Sequence, residues 1–179
     1  MRQLRLAVAL VIASTARVIS AQNIPATIPQ AEAEGAGFVH DDSLSARQTY
    51  FAESPFGGTS ERRCVSDSLP DLSLRSGDFI VRGRVFLPGV KHKVLWIPLH
   101  GSPLSKPPLV IRAARIESPA DSVRLRVEGL ARGGSYAAPL YGYPSEVLFP
   151  IAGRWLVVAT AGGDWGCFVL DVKPRARTN

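Results

Sequence analysis

Residues that hold metals are scarce in this sequence. It has two cysteines, three histidines and one methionine, and that methionine is the first residue. His40, His92 and His100 lie far apart, and no two share the i, i+2 or i, i+4 spacing of a ligand pair. His92 also stands between Lys91 and Lys93, whose charges oppose a second cation. Neither a metal nor a cofactor is expected. Catalytic motifs are equally thin. There is no Gly-x-Ser-x-Gly elbow, and none of the 15 Asp and Glu residues falls in a recognisable acid/base pair. His100-Gly101-Ser102 has the His-Gly start of an oxyanion loop, but in this Pro-rich setting it reads as a turn. Gly57-Gly58-Thr59-Ser60 lacks the Lys and the helix that a phosphate loop needs. The residue types argue against an enzyme.

Long apolar runs are also missing. The longest, Leu6 to Ala13, is well short of the roughly 20 residues that span a bilayer. It follows Arg2 and Arg5 and leads to small residues, with Ile19 and Ala21 placed for cleavage before Gln22. Residues 1–21 thus read as a secretory signal peptide. The mature chain is expected to have no transmembrane segment and to be secreted or periplasmic. Export changes the meaning of the cysteines, because thiols in oxidising compartments tend to pair. Cys64 and Cys167 then form either one disulfide, closing about 100 residues, or two separate thiols.

Charge is unevenly placed. The formal net charge is +6, but residues 22–61 carry one Arg against six acidic side chains, and residues 62–173 carry 15 basic against 9 acidic. An acidic leader precedes a basic domain. The leader, rich in Pro, Ala, Glu, Gly and Ser, shows no apolar period and is expected to be a largely disordered linker. Its charge suits it to dock in part on the domain. Residues 174–179 form a short basic tail.

From Cys64 the texture is that of strands and turns. DFIVRGRVFLP alternates, with Phe79, Val81 and Val85 on one face and Arg82 and Arg84 on the other. DSVRLRVEGL sets Val123, Leu125 and Val127 against Arg124, Arg126 and Glu128. KHKVLWIPL, PPLVIRAARIE, EVLFP, GRWLVVATA and WGCFVLDV complete a series of short runs separated by Pro, Gly, Ser and Asp. About seven strands in about 110 residues predict an antiparallel, immunoglobulin-like β-sandwich over 62–173. Trp155, Val157 and Ala159 share the core face of the penultimate strand. Gly162, Gly163 and Asp164 make the turn into the last strand, where Cys167 and Val169 oppose Phe168, Leu170 and Val172.

KVLWI (93–97), PPLVIRAARIE (107–117) and EVLFPIAGRWLVVATAGGDWGCFVLDV (146–172) together resemble a group of uncharacterised bacterial exported proteins and lipoproteins. In that group a Lys-Val-Leu-Trp strand precedes a Pro-Leu-x-Ile strand, and a Phe-Pro-x-x-Gly-Cys-Trp strand precedes a closing Phe-Val-Val-x-Val strand. The resemblance covers residues 77–172 and implies an immunoglobulin-like sandwich and no particular activity. Arg154 stands where the group usually has Cys, so any bond made by that Cys does not carry over.

Two surfaces are candidates for recognition. Arg82, Arg84, Arg112, Arg124 and Arg126 fall at outward positions of the alternation and form either an anion-binding sheet face or a solvated one. An anionic glycan, an acidic lipid surface, an envelope protein or the chain's own leader suits the first reading. Nucleic acid does not, because no aromatic stacking platform interleaves with the arginines. Tyr136, Tyr141 and Tyr143, among Gly and Pro, either grip a partner from a loop or cap the core. On this reading the protein is an exported, non-catalytic binding or structural module.

Overall fold

The computed structural model describes residues 23–38, 57–59, 61–66, 73–83, 85–99, 107–135 and 138–174, with 57–59, 133–135 and 138–140 described by backbone alone. Residues 1–21 and 175–179, with His40, His100, Arg84 and Tyr136, lie outside the described residues.

Alternating side chains produce two packed sheets. The first comprises β1 (Gly57–Thr59), β3 (Ser73–Ser76), β4 (Phe79–Arg82), β5 (Lys91–Pro98), β9 (Ala138–Leu148) and β8 (Ala131–Ser135), in the order β1-β3-β4-β5-β9-β8. The second comprises β2 (Cys64–Ser66), β11 (Asp164–Val172), β10 (Gly153–Ala161), β6 (Leu109–Arg115) and β7 (Ser118–Val127), in the order β2-β11-β10-β6-β7. The pairings are antiparallel except β1 with β3 and β2 with β11. The expected all-β sandwich is present, with more strands than the seven anticipated. β1 and β2, three residues each, are too short to show a pattern in the sequence.

Between the sheets lie Phe79, Val81, Trp96, Ile111, Trp155, Val157, Phe168 and Leu170, all essentially inaccessible to water. Burying each such side chain contributes about 1.5–3 kcal/mol. Trp96 meets the edge of Phe168 at 5.7 Å between ring centres, and Phe149 meets Trp155 at 5.1 Å. The polar tips of these two indoles are satisfied: Trp96 Nε1 donates to Ser145 Oγ (2.9 Å) and Trp155 Nε1 to the Ile151 carbonyl (3.1 Å). The β10–β11 hairpin closes through Gly162, whose φ of 62° needs a residue without a Cβ. Val123, Leu125 and Val127 are half-buried against the core, while Arg124 and Arg126 are exposed.

Two sequence expectations are corrected. The first concerns the alternation through 79–85. β4 ends at Arg82, Val85 is 39% exposed, and Phe86 is the buried residue, bridging to Val172. The inward role thus passes from Val85 to Phe86 just beyond Gly83.

The second concerns the leader, which is helical over Ile28–Ala36 (α1). Thr27 caps it, its side chain accepting from the Gln30 amide (3.3 Å), and Gln30 Oε1 accepts from the Ala26 amide (2.9 Å). Nine residues form only a marginal helix in water, so packing must hold it. Ala31 and Gly35, four apart, turn toward the outer face of the five-stranded sheet, where Leu156, Val158, Trp165, Cys167 and Val169 are buried. That sheet therefore has apolar cover on both sides.

Candidate functional site

The geometry begins with register. Arg112 in β6 faces Val158 in β10 and Arg124 in β7, so its side chain leaves the sheet on the outer face, as the alternation predicts. It does not reach water. Arg112 is 0% exposed and lies under α1, where both terminal nitrogens donate to the Glu34 carboxylate and Nη1 also donates to the Asn23 carbonyl (2.8 Å). The anion it holds is its own leader's. Arg112 is thus withdrawn from the exposed arginine face the sequence suggested. Isolated burial of a guanidinium is prohibitively costly, and the two-pronged carboxylate contact is what makes this position tenable.

Neighbouring groups tie α1 down at its middle and at its C-terminal end. Glu32 Oε1 accepts from the Cys64 amide (3.0 Å). Arg62 Nη1 donates to the carbonyls of Gly35 (2.9 Å) and Phe38, which satisfies the orphan acceptors at the helix C-terminus and places a cation at the negative end of its dipole. Arg62 Nη2 also lies 3.4 Å from Asp78 Oδ2, which in turn accepts from the Trp165 amide (3.0 Å). The indole of Trp165 packs against the helix at Gly35. A Cβ on Gly35 would lie 2.8 Å from its Cε2 and Cζ2 atoms. Two donors on this covered face have no partner: Trp165 Nε1 and Arg112 Nε.

Cys64 and Cys167 form a disulfide. They are direct register partners in β2 and β11, so the bond joins neighbouring strands of one sheet, whereas the immunoglobulin disulfide joins two sheets. Cys167 is buried within the cluster that α1 covers, with Cys64 half-buried beside it.

The other described arginines of the candidate face, Arg82, Arg124 and Arg126, do not share one surface. Arg124 and Arg126 lie on β7, at the edge of the five-stranded sheet, and Arg126 Nε donates to Glu128 (2.5 Å). That contact and the nearby negative charge raise the Arg126 pKa further. Arg82 lies on the other sheet, in β4. There it faces Leu95, which faces Pro144, and the next row pairs Lys93 with Glu146. These side chains line an open groove of about 420 Å³ on the outer face of the six-stranded sheet. Lys91 reaches Glu146 at 3.4 Å, and the groove carries Arg82, Lys93 and Glu146 around an apolar floor. Lys93, Leu95 and Pro144 were not singled out in the sequence, although Lys93 and Leu95 follow the same alternation as the arginines.

Tyr141 and Tyr143 are not on a loop. Both belong to β9, and Tyr143 is fully buried, with its hydroxyl donating to the Pro107 carbonyl (2.6 Å). Burial pushes its phenol well above the ordinary range, and the Asp164 carboxylate adds to the effect. Tyr143 is a core residue with a satisfied tip. Tyr141, half-buried, faces Arg132 of β8. His92 Nε2 lies 2.9 Å from the Leu87 amide and braces the turn before β5. Among the described residues, no group of three or more His, Cys, Asp or Glu could hold a metal ion. No described helix is long and apolar enough to cross a membrane.

No protein family matches the sequence, and neither a curated protein nor a solved structure matches it.

Proposed function

We propose that the protein is an exported, non-catalytic binding or structural module of the bacterial cell envelope, which meets anionic lipid headgroups or glycans through the groove on its six-stranded sheet. Export is supported by the signal-like N-terminus and by a disulfide of the kind that persists in oxidising compartments. The groove itself carries the binding reading. Arg82 and Lys93 border a floor of Leu95 and Pro144 in a space of about 420 Å³, which suits an anionic group joined to a short apolar body. Rigid strands supply every lining residue, so little ordering is needed on binding.

Co-sedimentation with phosphatidylglycerol vesicles and retention on heparin, each against salt, test this reading. Binding should weaken steeply between low and physiological ionic strength. An Arg82→Gln/Lys93→Gln double variant should bind about tenfold more weakly, one factor of ten corresponding to roughly 1.4 kcal/mol across two exposed contacts. Arg124→Gln should change little. Equal binding by the double variant and the native chain, or no binding at low salt, would exclude the groove.

A further inference from the structure

We infer that the groove on the six-stranded sheet recognises a phosphate ester that also carries a primary ammonium, the headgroup chemistry of a phosphoethanolamine lipid. The inference rests on the groove reading above and narrows it from an anionic group in general to a zwitterion.

The charges in the groove are of both signs, and register fixes where each one stands. Lys93 in β5 is the direct partner of Glu146 in β9. Arg82 in β4 faces Leu95, the next outward residue along β5 from Lys93. Arg82 and Lys93 therefore stand on a diagonal between neighbouring strands, with Leu95 at the corner. Such a diagonal measures about 7–8 Å between Cα atoms, within reach of two long cationic side chains closing on one phosphate. Glu146 stands one strand further on, about 4.8 Å away in the pairing direction, and a two-carbon link between phosphate and nitrogen covers that spacing.

Glu146 keeps room for a second cation. Its ion pair runs to Lys91 at 3.4 Å, although Lys93 is its direct register partner, and both paired side chains are well exposed. A pair of that kind contributes little and exchanges readily with water. An ionised carboxylate offers about four lone-pair sites, so it accepts an incoming ammonium beside Lys91. The floor decides the source of the headgroup. Leu95 is half-buried and Pro144 exposed between the charged side chains, which gives a ligand's apolar body a surface to cover. The ligand is thus a lipid rather than free phosphoethanolamine.

Co-sedimentation of the full chain with three kinds of vesicle tests this. One is phosphatidylcholine alone, and the others add phosphatidylethanolamine or phosphatidylglycerol. The choline and ethanolamine lipids share a phosphate and a net charge of zero, and only the second has a nitrogen that donates hydrogen bonds. The native chain should bind the ethanolamine vesicles about threefold more tightly than the choline ones, as one exposed ammonium–carboxylate contact allows. Glu146→Gln should abolish that preference without weakening attachment to phosphatidylglycerol. Lys91→Gln breaks the same surface ion pair but keeps the carboxylate, and should retain the preference. Loss of the preference in both variants would assign it to the ion pair and overturn the inference. Attachment to phosphatidylglycerol without any preference for ethanolamine over choline overturns the inference and leaves the groove reading standing. No attachment to either overturns both. A short-chain dihexanoyl phosphatidylethanolamine should compete about tenfold more strongly than free phosphoethanolamine, because only the lipid covers Leu95 and Pro144. Equal competition would overturn the lipid assignment.

Discussion

Replacing both cysteines, as Cys64→Ala with Cys167→Ala, should lower the melting temperature substantially. The bond closes a segment with a sequence separation of 103, so it constrains most of the unfolded chain. The loop-entropy relation for a segment of that length gives about 4–5 kcal/mol. For a chain of this size each kcal/mol corresponds to about 2–4 °C, and the expected loss is roughly 10–20 °C. Native-state geometry makes the effect wider than entropy alone. β2 is a three-residue edge strand held to β11 by a short ladder and the disulfide, and Glu32 of α1 bonds to the Cys64 amide. Without the sulfur link, β2 and α1 should loosen together before the sandwich melts. Calorimetry at neutral pH on native, reduced and double-alanine chains measures the first effect, and hydrogen exchange at residues 31–35 and 64–66 measures the second. A melting shift below about 4 °C, which is one kcal/mol or so on the same scale, would refute the reasoning.

Gly35→Ala should destabilise the protein by about 1–2 kcal/mol: the added Cβ is driven into a rigid ring, and that overpacking outweighs the better helix propensity of alanine. A lower melting temperature with altered tryptophan emission would register it, and a stabilised variant would contradict the packing. Trp155→Ala should cost about 3–5 kcal/mol, read from denaturant midpoints, because the indole is wholly enclosed between the sheets. Tyr143 makes stability depend on alkaline pH. Its folded-state pKa lies above the unfolded value near 10, so its contribution is complete below that pH and is lost as pH rises further, when only the unfolded chain ionises. Denaturant midpoints between about pH 9 and pH 11 should fall less steeply for Tyr143→Phe than for the native chain.

The sandwich was legible where one face of a strand is dry and the other wet. Val123, Leu125 and Val127 against Arg124 and Arg126 is such a case, and β7 follows it residue by residue. β10 and β11 were recognisable as a hairpin, but their second apolar face carried a message that alternation alone does not convey. Leu156, Val158 and Val169 are apolar as well because α1 covers them. An unbroken apolar run such as LVV in a strand of a small domain signals cover on both faces. The cover itself was hard to see, because its contact residues are alanine and glycine, which leave no apolar period. Its trace in the sequence is Thr27-Ile28-Pro29-Gln30, a capping box with proline in the first turn. Arg112 was correctly placed on the outer face of its strand, and its burial was hidden because exposure depends on a segment about 80 residues away, which strand periodicity does not report. Tyr141 and Tyr143 were mistaken for loop residues because Gly142 and Pro144 punctuate the sequence of β9. β8 pairs only as far as Gly142, so Pro144 has no strand beside it on that side.

The Cys64–Cys167 bond also decides how the molecule answers a pull. Tension applied between the two chain ends enters at Cys64, crosses the sulfur atoms to Cys167 and leaves through β11. The hundred or so residues between the cysteines are bypassed by this covalent path. While the bond is intact, traction cannot lengthen that part of the chain.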